Sequence, residues 1–331
     1  MRVFILSIIV ACVTAQTASA IITTLSQVSQ FDLPGPVGKR FDYLTIDTDD
    51  HYLLSAHLGA GLLYVIDLVS NNLIKTISDL PGIEGVTYIP GARKAYTSNW
   101  GDHTIGVVDL VQMKVVKKLP AEIKPDGSTY ASDFNKVYVS DEKAKAVIVV
   151  DTVHDDVVKT LRFASETGMP QYDSVSKKVL VNLQDQNLIA VINPVDDTLV
   201  ATYPVGSCQG NHGMVLDVPS RRAFLSCEGN DQLAVMNLDN FQIIAILPMA
   251  PGADVLKFDP VIKRIYAACY SGAISVFQED DRDHFRKLED FPVQPKVHSL
   301  EVDPTTHNIY VPEQEENGKA VSRMIIYSAV L

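Results

Sequence analysis

After residue 20 the apolar positions fall in short runs rich in β-branched, aromatic and aliphatic residues, each too short for a helix, separated by turns of Gly, Pro, Asp, Asn and Lys. The runs recur at a fixed period. With the second strand of each unit as reference, Leu53-Leu54-Ser55, Ala95-Tyr96-Thr97, Val137-Tyr138-Val139, Val179-Leu180-Val181, Ala223-Phe224-Leu225, Ile265-Tyr266-Ala267 and Ile309-Tyr310-Val311 have central residues 42, 42, 42, 44, 42 and 44 positions apart. A period of this size maintained along the chain marks a repeat architecture and overrides the two-domain reading that length alone suggests.

Within one unit the pattern predicts four strands. In the second unit, strand A is Gly85 to Ile89, a Pro90-Gly91 turn follows, strand B is Lys94 to Ser98, strand C is Thr104 to Asp109 and strand D is Lys114 to Leu119. Strand C recurs at 64–68, 106–110, 148–152, 190–194, 234–238 and 275–279; in the first five an Asp or Asn opens the following turn by bonding nearby backbone. The seventh unit has strands A, B and C, the last at 324–328, and then the chain stops at Leu331. Residues Leu25 to Leu33 precede the first unit and supply the missing strand. The prediction is an all-β, seven-bladed β-propeller over residues 21–331, four antiparallel strands per blade, its ring closed by the N-terminal strand completing blade 7.

The strand-B segments Tyr96-Thr97-Ser98-Asn99 and Tyr138-Val139-Ser140-Asp141, with the strand-C segments above, resemble the YVTN-repeat propellers, the YncE-like secreted or periplasmic members being the nearest group. The resemblance spans residues 25–331 and implies a binding or scaffold role; it brings no catalytic residues with it.

The chain opens with Arg2, an apolar run from Val3 to Val13 and Ala18-Ser19-Ala20, which reads as a cleaved signal peptide over residues 1–20 and a secreted or periplasmic destination. No later run supplies the roughly 20 apolar residues of a spanning helix, so no transmembrane segment is expected in the mature chain. Loss of Arg2 takes the formal net charge from −12 to −13, which disfavours nucleic acid. A protein or small-molecule partner and a monomer are expected instead.

Strand A of a propeller blade starts near the central axis. Twelve residues before each reference position stand Asp42, Glu84, Asp126, Gly168, His212, Asp254 and His298, gathered by the repeat into a ring at one channel mouth. Carboxylates facing one another at roughly 8 Å repel by about 2 kcal/mol per pair at an effective dielectric near 20. Water, backbone N–H donors, raised pKa values or a bound divalent cation would relieve this. Glu84, Asp126, His212, Asp254 and His298 are the candidate metal ligands. Oxygen donors favour calcium, magnesium or manganese, and the histidines extend the choice to zinc, nickel or copper. The arrangement is similar to the metal-holding channel of six-bladed lactonase propellers of the gluconolactonase and paraoxonase type. A metal-dependent hydrolase or lactonase is therefore the alternative to a binding protein with an acidic top face, its catalytic residues unassigned.

The B–C loops on the same rim add His57, Asp141-Glu142, Gln184-Asp185, Glu228 to Asp231, Tyr270 and Glu313 to Glu316. Trp100, beside Asp102 and His103, is either an aromatic platform for a ligand or a cover over the core. The A–B turns of the opposite rim carry Arg93-Lys94, Lys136, Lys177-Lys178, Arg221-Arg222 and Lys263-Arg264, a basic counterpart to the acidic rim. Cys12 leaves with the leader, and antiparallel pairing brings Cys208, just before strand A of blade 5, to Cys227, just after strand B. A disulfide is expected there, with Cys269 left as the free thiol. Gly206-Ser207-Cys208-Gln209-Gly210 has the spelling of a nucleophile elbow but no following helix, and no zinc-protease, P-loop or dinucleotide motif occurs.

Overall fold

Strands B and C of every unit carry apolar residues at their centres because they are covered on both faces, and in the computed structural model they become the buried middle of seven four-stranded antiparallel sheets. The structure describes residues 23–331; the leader assigned to residues 1–20 lies outside the described residues. Blade 5 is representative, with strands Asn211–Asp217, Arg222–Cys227, Gln232–Asn237 and Gln242–Pro248 in sequence order. The cores lie between neighbouring blades. Phe224, Leu233 and Val235 of blade 5 pack on Phe258, Ile265 and Phe277 of blade 6.

Blade 7 is completed by the other end of the chain. Strand Leu25–Asp32 pairs antiparallel with Lys319–Ala329, Leu25 opposite Ala329 and Gln30 opposite Ile325, giving the spatial order that closes the ring. Leu25 is thereby buried among Ile309, Val311 and Tyr327.

Strand A is bulged at its axial end in blades 2 to 6, where register shifts occur at Ile83/Val86, Pro125/Ser128, Thr167/Pro170, Asn211/Met214 and Ala253/Leu256. In blade 3, Asp126 and Gly127 thus oppose the single residue Ser140, whose hydroxyl donates to the Gly127 carbonyl at 3.1 Å. Each bulge contains the ring position. Neighbouring strands then touch through their backbones: a Cβ on Gly85 would stand 2.2 Å from the Asp126 carbonyl oxygen, and one on Gly213 2.2 Å from that of Asp254. Only glycine fits at this approach.

On the opposite rim the basic turns are paired with aspartates of neighbouring blades. His51, Arg93, Lys177, Arg221, Lys263 and His307 all have φ between 47° and 59°, which turns each side chain back toward the preceding blade. There Lys177 meets Asp133, Arg221 meets Asp173, Lys263 meets Asp217 and His307 meets Asp259, each at 2.7 Å, and Arg93 meets Asp50. His51 continues the series across the closure to Asp303 at 3.5 Å. Lys94, Lys136 and Arg222 reach forward to Asp155, Asp197 and Asp283. These cations are spent on holding blade to blade.

Candidate functional site

The bulges and the loops before them build a cavity of about 180 Å³ at the channel mouth. Of the seven ring positions, Asp42, Asp126, His212 and Asp254 line it. Glu84 and His298 lie behind, 2% and 3% exposed, and Gly168 is a gap where a Cβ would press on the His212 carbonyl. Glu142, Gln184 and Glu228 from the B–C loops complete the wall, as their loop positions suggest.

Arg40 and Lys124, absent from the sequence-based site, are its organising cations. Arg40 donates from Nε to His298 Nε2 at 2.9 Å and from Nη2 to Asp42 at 3.0 Å, and lies 3.8 Å from Asp254. His298 Nδ1 donates to the Lys296 carbonyl at 3.0 Å, which leaves Nε2 as the acceptor. Lys124 is delivered by a loop wrapped on the Asp141 carboxylate, which accepts the backbone N–H groups of Glu122, Ile123 and Lys124 at 2.8, 3.1 and 2.7 Å. Its ammonium pairs with Glu142 and stands 3.6 Å from Glu84. Both cations sit two residues before a ring position, as does Lys296. That basic column was a signal available in the repeat.

The carboxylates therefore separate into different states. Burial, reinforced by Asp126 and Asp42, pushes Glu84 up to about 10, so it is a neutral acid, and among the described residues its Oε2 has no hydrogen-bond partner. Burial also raises Asp126, to about 6, against the pull of Lys124 and His212. Asp254 goes the other way: burial would raise it, but the imidazolium of His212 holds it well below the usual carboxylate range. Burial would likewise lower His212, yet Asp254 at 3.0 Å raises it to about 10. The site is thus a mixed array in which Arg40, Lys124 and His212⁺ answer the carboxylates.

This changes the metal reading. The five residues proposed as ligands, Glu84, Asp126, His212, Asp254 and His298, do not gather around one point, and among the described residues no group of three or more His, Cys, Asp or Glu side chains is arranged to hold a metal ion. Arg40, bonded to Asp42 and His298 and close to Asp254, occupies the position a shared cation would need.

Tyr43 closes the cavity from below. It is 5% exposed, its hydroxyl is buried without a hydrogen-bond partner among the described residues, and it also lines a second chamber of about 390 Å³ that continues down the channel past Thr87, Ser128, Gln171 and Lys257. Lys257 is held there by the Leu44 carbonyl at 2.9 Å and Glu301 at 2.6 Å.

Trp100 and His103 are not brought to the cavity. Trp100, 41% exposed, lies against Gly82, where a Cβ would be 2.9 Å from its Nε1, and His103 Nδ1 donates to the Ile123 carbonyl. His57 is fully buried and stacked on Phe41 with centroids 4.0 Å apart, a core residue. Cys208 and Cys227 are joined with Cα atoms 5.1 Å apart, and the buried thiol of Cys269 is pushed up to about 11 by burial.

Fold and site define the class: a seven-bladed β-propeller with a charged, floored channel mouth. No protein-family model and no curated protein matches the chain. Solved structures do. Kuenenia stuttgartiensis hydrazine synthase superposes with a TM-score of 0.73 at 15% identity, covering 88% of this chain and 96% of that one. A chain of the mitotic checkpoint complex gives 0.77 at 11% identity, covering 99% and 98%. The RRP9 WD40 repeats give 0.77 at 11%, covering 93% and 99%. At such identities the likeness concerns the fold.

Proposed function

We propose that the chain is an exported binding propeller of the YVTN-repeat, YncE-like kind, whose ligand seat is the channel mouth. The observation that carries this is the cavity itself: nine of its ten lining residues are charged side chains or Gln184, and the tenth, Tyr43, is its floor. A concave site with convergent polar groups and perturbed titratable residues is the default candidate for small-ligand binding. The Ala18-Ser19-Ala20 leader and the Cys208–Cys227 bridge both fit an oxidising, extracytoplasmic compartment. A similar propeller occurring in a checkpoint complex supports a scaffold contribution by the rest of the surface. A metal-assisted lactonase finds no comparable support, because Asp42, Glu142 and Asp254 engage Arg40, Lys124 and His212. A thermal-shift screen of small polar solutes tests the reading: a binder should raise Tm of the wild type and have much less effect on the Asp126→Asn/Glu228→Gln double variant. A screen in which every shift is the same in both proteins would remove the channel mouth as the seat.

A further inference from the structure

The charge on the cavity wall is not balanced. Asp42, Asp126, Glu142, Glu228 and Asp254 face Arg40, Lys124 and His212, and the neutral Glu84 behind them adds nothing. With His212 protonated, the wall carries an excess of two negative charges.

The excess has a definite location. Asp42 is held by Arg40, Glu142 by Lys124 and Asp254 by His212. Asp126 is 4% exposed and lines the cavity, yet among the described residues no side chain or backbone group donates to it and no cation lies within ion-pair distance. A carboxylate so far removed from bulk water is costly unless it is hydrogen-bonded or paired. Glu228 stands exposed at the opening.

We infer that the channel mouth is a receptor for a small primary ammonium compound, its ammonium seated on Asp126 and its chain directed toward Glu228 at the opening. The inference rests on the reading of the cavity as a ligand seat. An ammonium brings three N–H donors and a positive charge, which match the bare Asp126 carboxylate on the cavity wall. A quaternary ammonium lacks these donors and needs an aromatic cage, whereas Tyr43 is the one aromatic residue of the lining. An anion meets the excess negative charge. A divalent metal ion needs several oxygens converging at one point, and the neighbouring carboxylates are held apart by their own partners. The volume of 180 Å³ is about that of six water molecules at roughly 30 Å³ each, enough for a short aliphatic amine with a second polar end.

Isothermal titration calorimetry on the mature chain, with 1,4-diaminobutane, tetramethylammonium, acetate and calcium as probes, tests this. Diaminobutane should bind one to one, and tetramethylammonium should bind about tenfold more weakly or less. Asp126→Asn should weaken the diamine about 30-fold or more, the usual consequence of removing one member of a buried charge pair. Among the described residues Asp126 makes no hydrogen bond that the amide would lose, and Glu228→Gln, at an exposed position, provides a second variant with a several-fold loss expected. If calcium or acetate binds with Asp126 sensitivity and the diamine does not, the amine class is overturned while the channel-mouth seat stands. Diamine binding equal in wild type and both variants overturns the assigned position, and binding by none of the four probes overturns both the amine class and the seat.

Discussion

His212 Nε2 lies 3.0 Å from Asp254 Oδ1, joining the first turns of strand A in blades 5 and 6 across the channel mouth. The two groups stabilise each other's charged forms. His212, raised from 6.5 to about 10, contributes stability that is complete below pH 6.5 and lost as pH climbs through 10. Asp254, depressed below 3.8, contributes above that pH and loses its contribution as pH falls further. Denaturant melts of the wild type should therefore lose stability between pH 6.5 and 10. His212→Asn should show a shallower slope there, the remainder coming from Glu84, and cost about 3 kcal/mol near pH 6, because it leaves Asp254 without its nearest charge partner. An unchanged slope in the variant would show the pair to be unimportant.

Glu84 works against the fold at neutral pH. Its carboxyl is protonated up to about 10 in the native state, against 4.5 ordinarily, so its contribution favours folding most below pH 4.5 and is lost as pH rises through that interval. Glu84→Gln keeps the shape of the neutral acid and removes the cost of holding its proton. Calorimetry at pH 8 should show a Tm higher by about 2–4 °C, corresponding to roughly 1 kcal/mol, with the difference vanishing near pH 4. A lower Tm at pH 8 would mean that Glu84 is ionised against Lys124.

The closing strand carries a different consequence. Removing residues 21–36 uncovers the edge of strand Lys319–Ala329 and exposes Ile309, Val311 and Tyr327 at the core once covered by Leu25. An unpaired edge backed by apolar surface recruits another chain. Light scattering should show the truncated protein as oligomers or aggregates at concentrations where residues 21–331 are monodisperse; a monodisperse, equally stable truncation would refute the closure's importance.

Much of this was legible along the chain. The 42-residue period marks out the blades because each blade meets the same environment and must repeat the same strand pattern, and the incomplete seventh unit points to Leu25–Asp32 as its fourth strand. Counting by columns also placed Asp42, Asp126, His212 and Asp254 together, since equivalent residues share one radial position. Which side chains answer one another is settled between columns and between blades. Arg40 reaches His298 across 258 residues of sequence, Lys124 is aimed by a loop folded on Asp141, and the basic turns spend their charge on aspartates of the adjoining blades. Periodicity encodes distance from the axis, so it reports the architecture. Partner choice depends on side-chain reach, backbone hand and desolvation at one particular blade junction, and these exist only once the ring has closed.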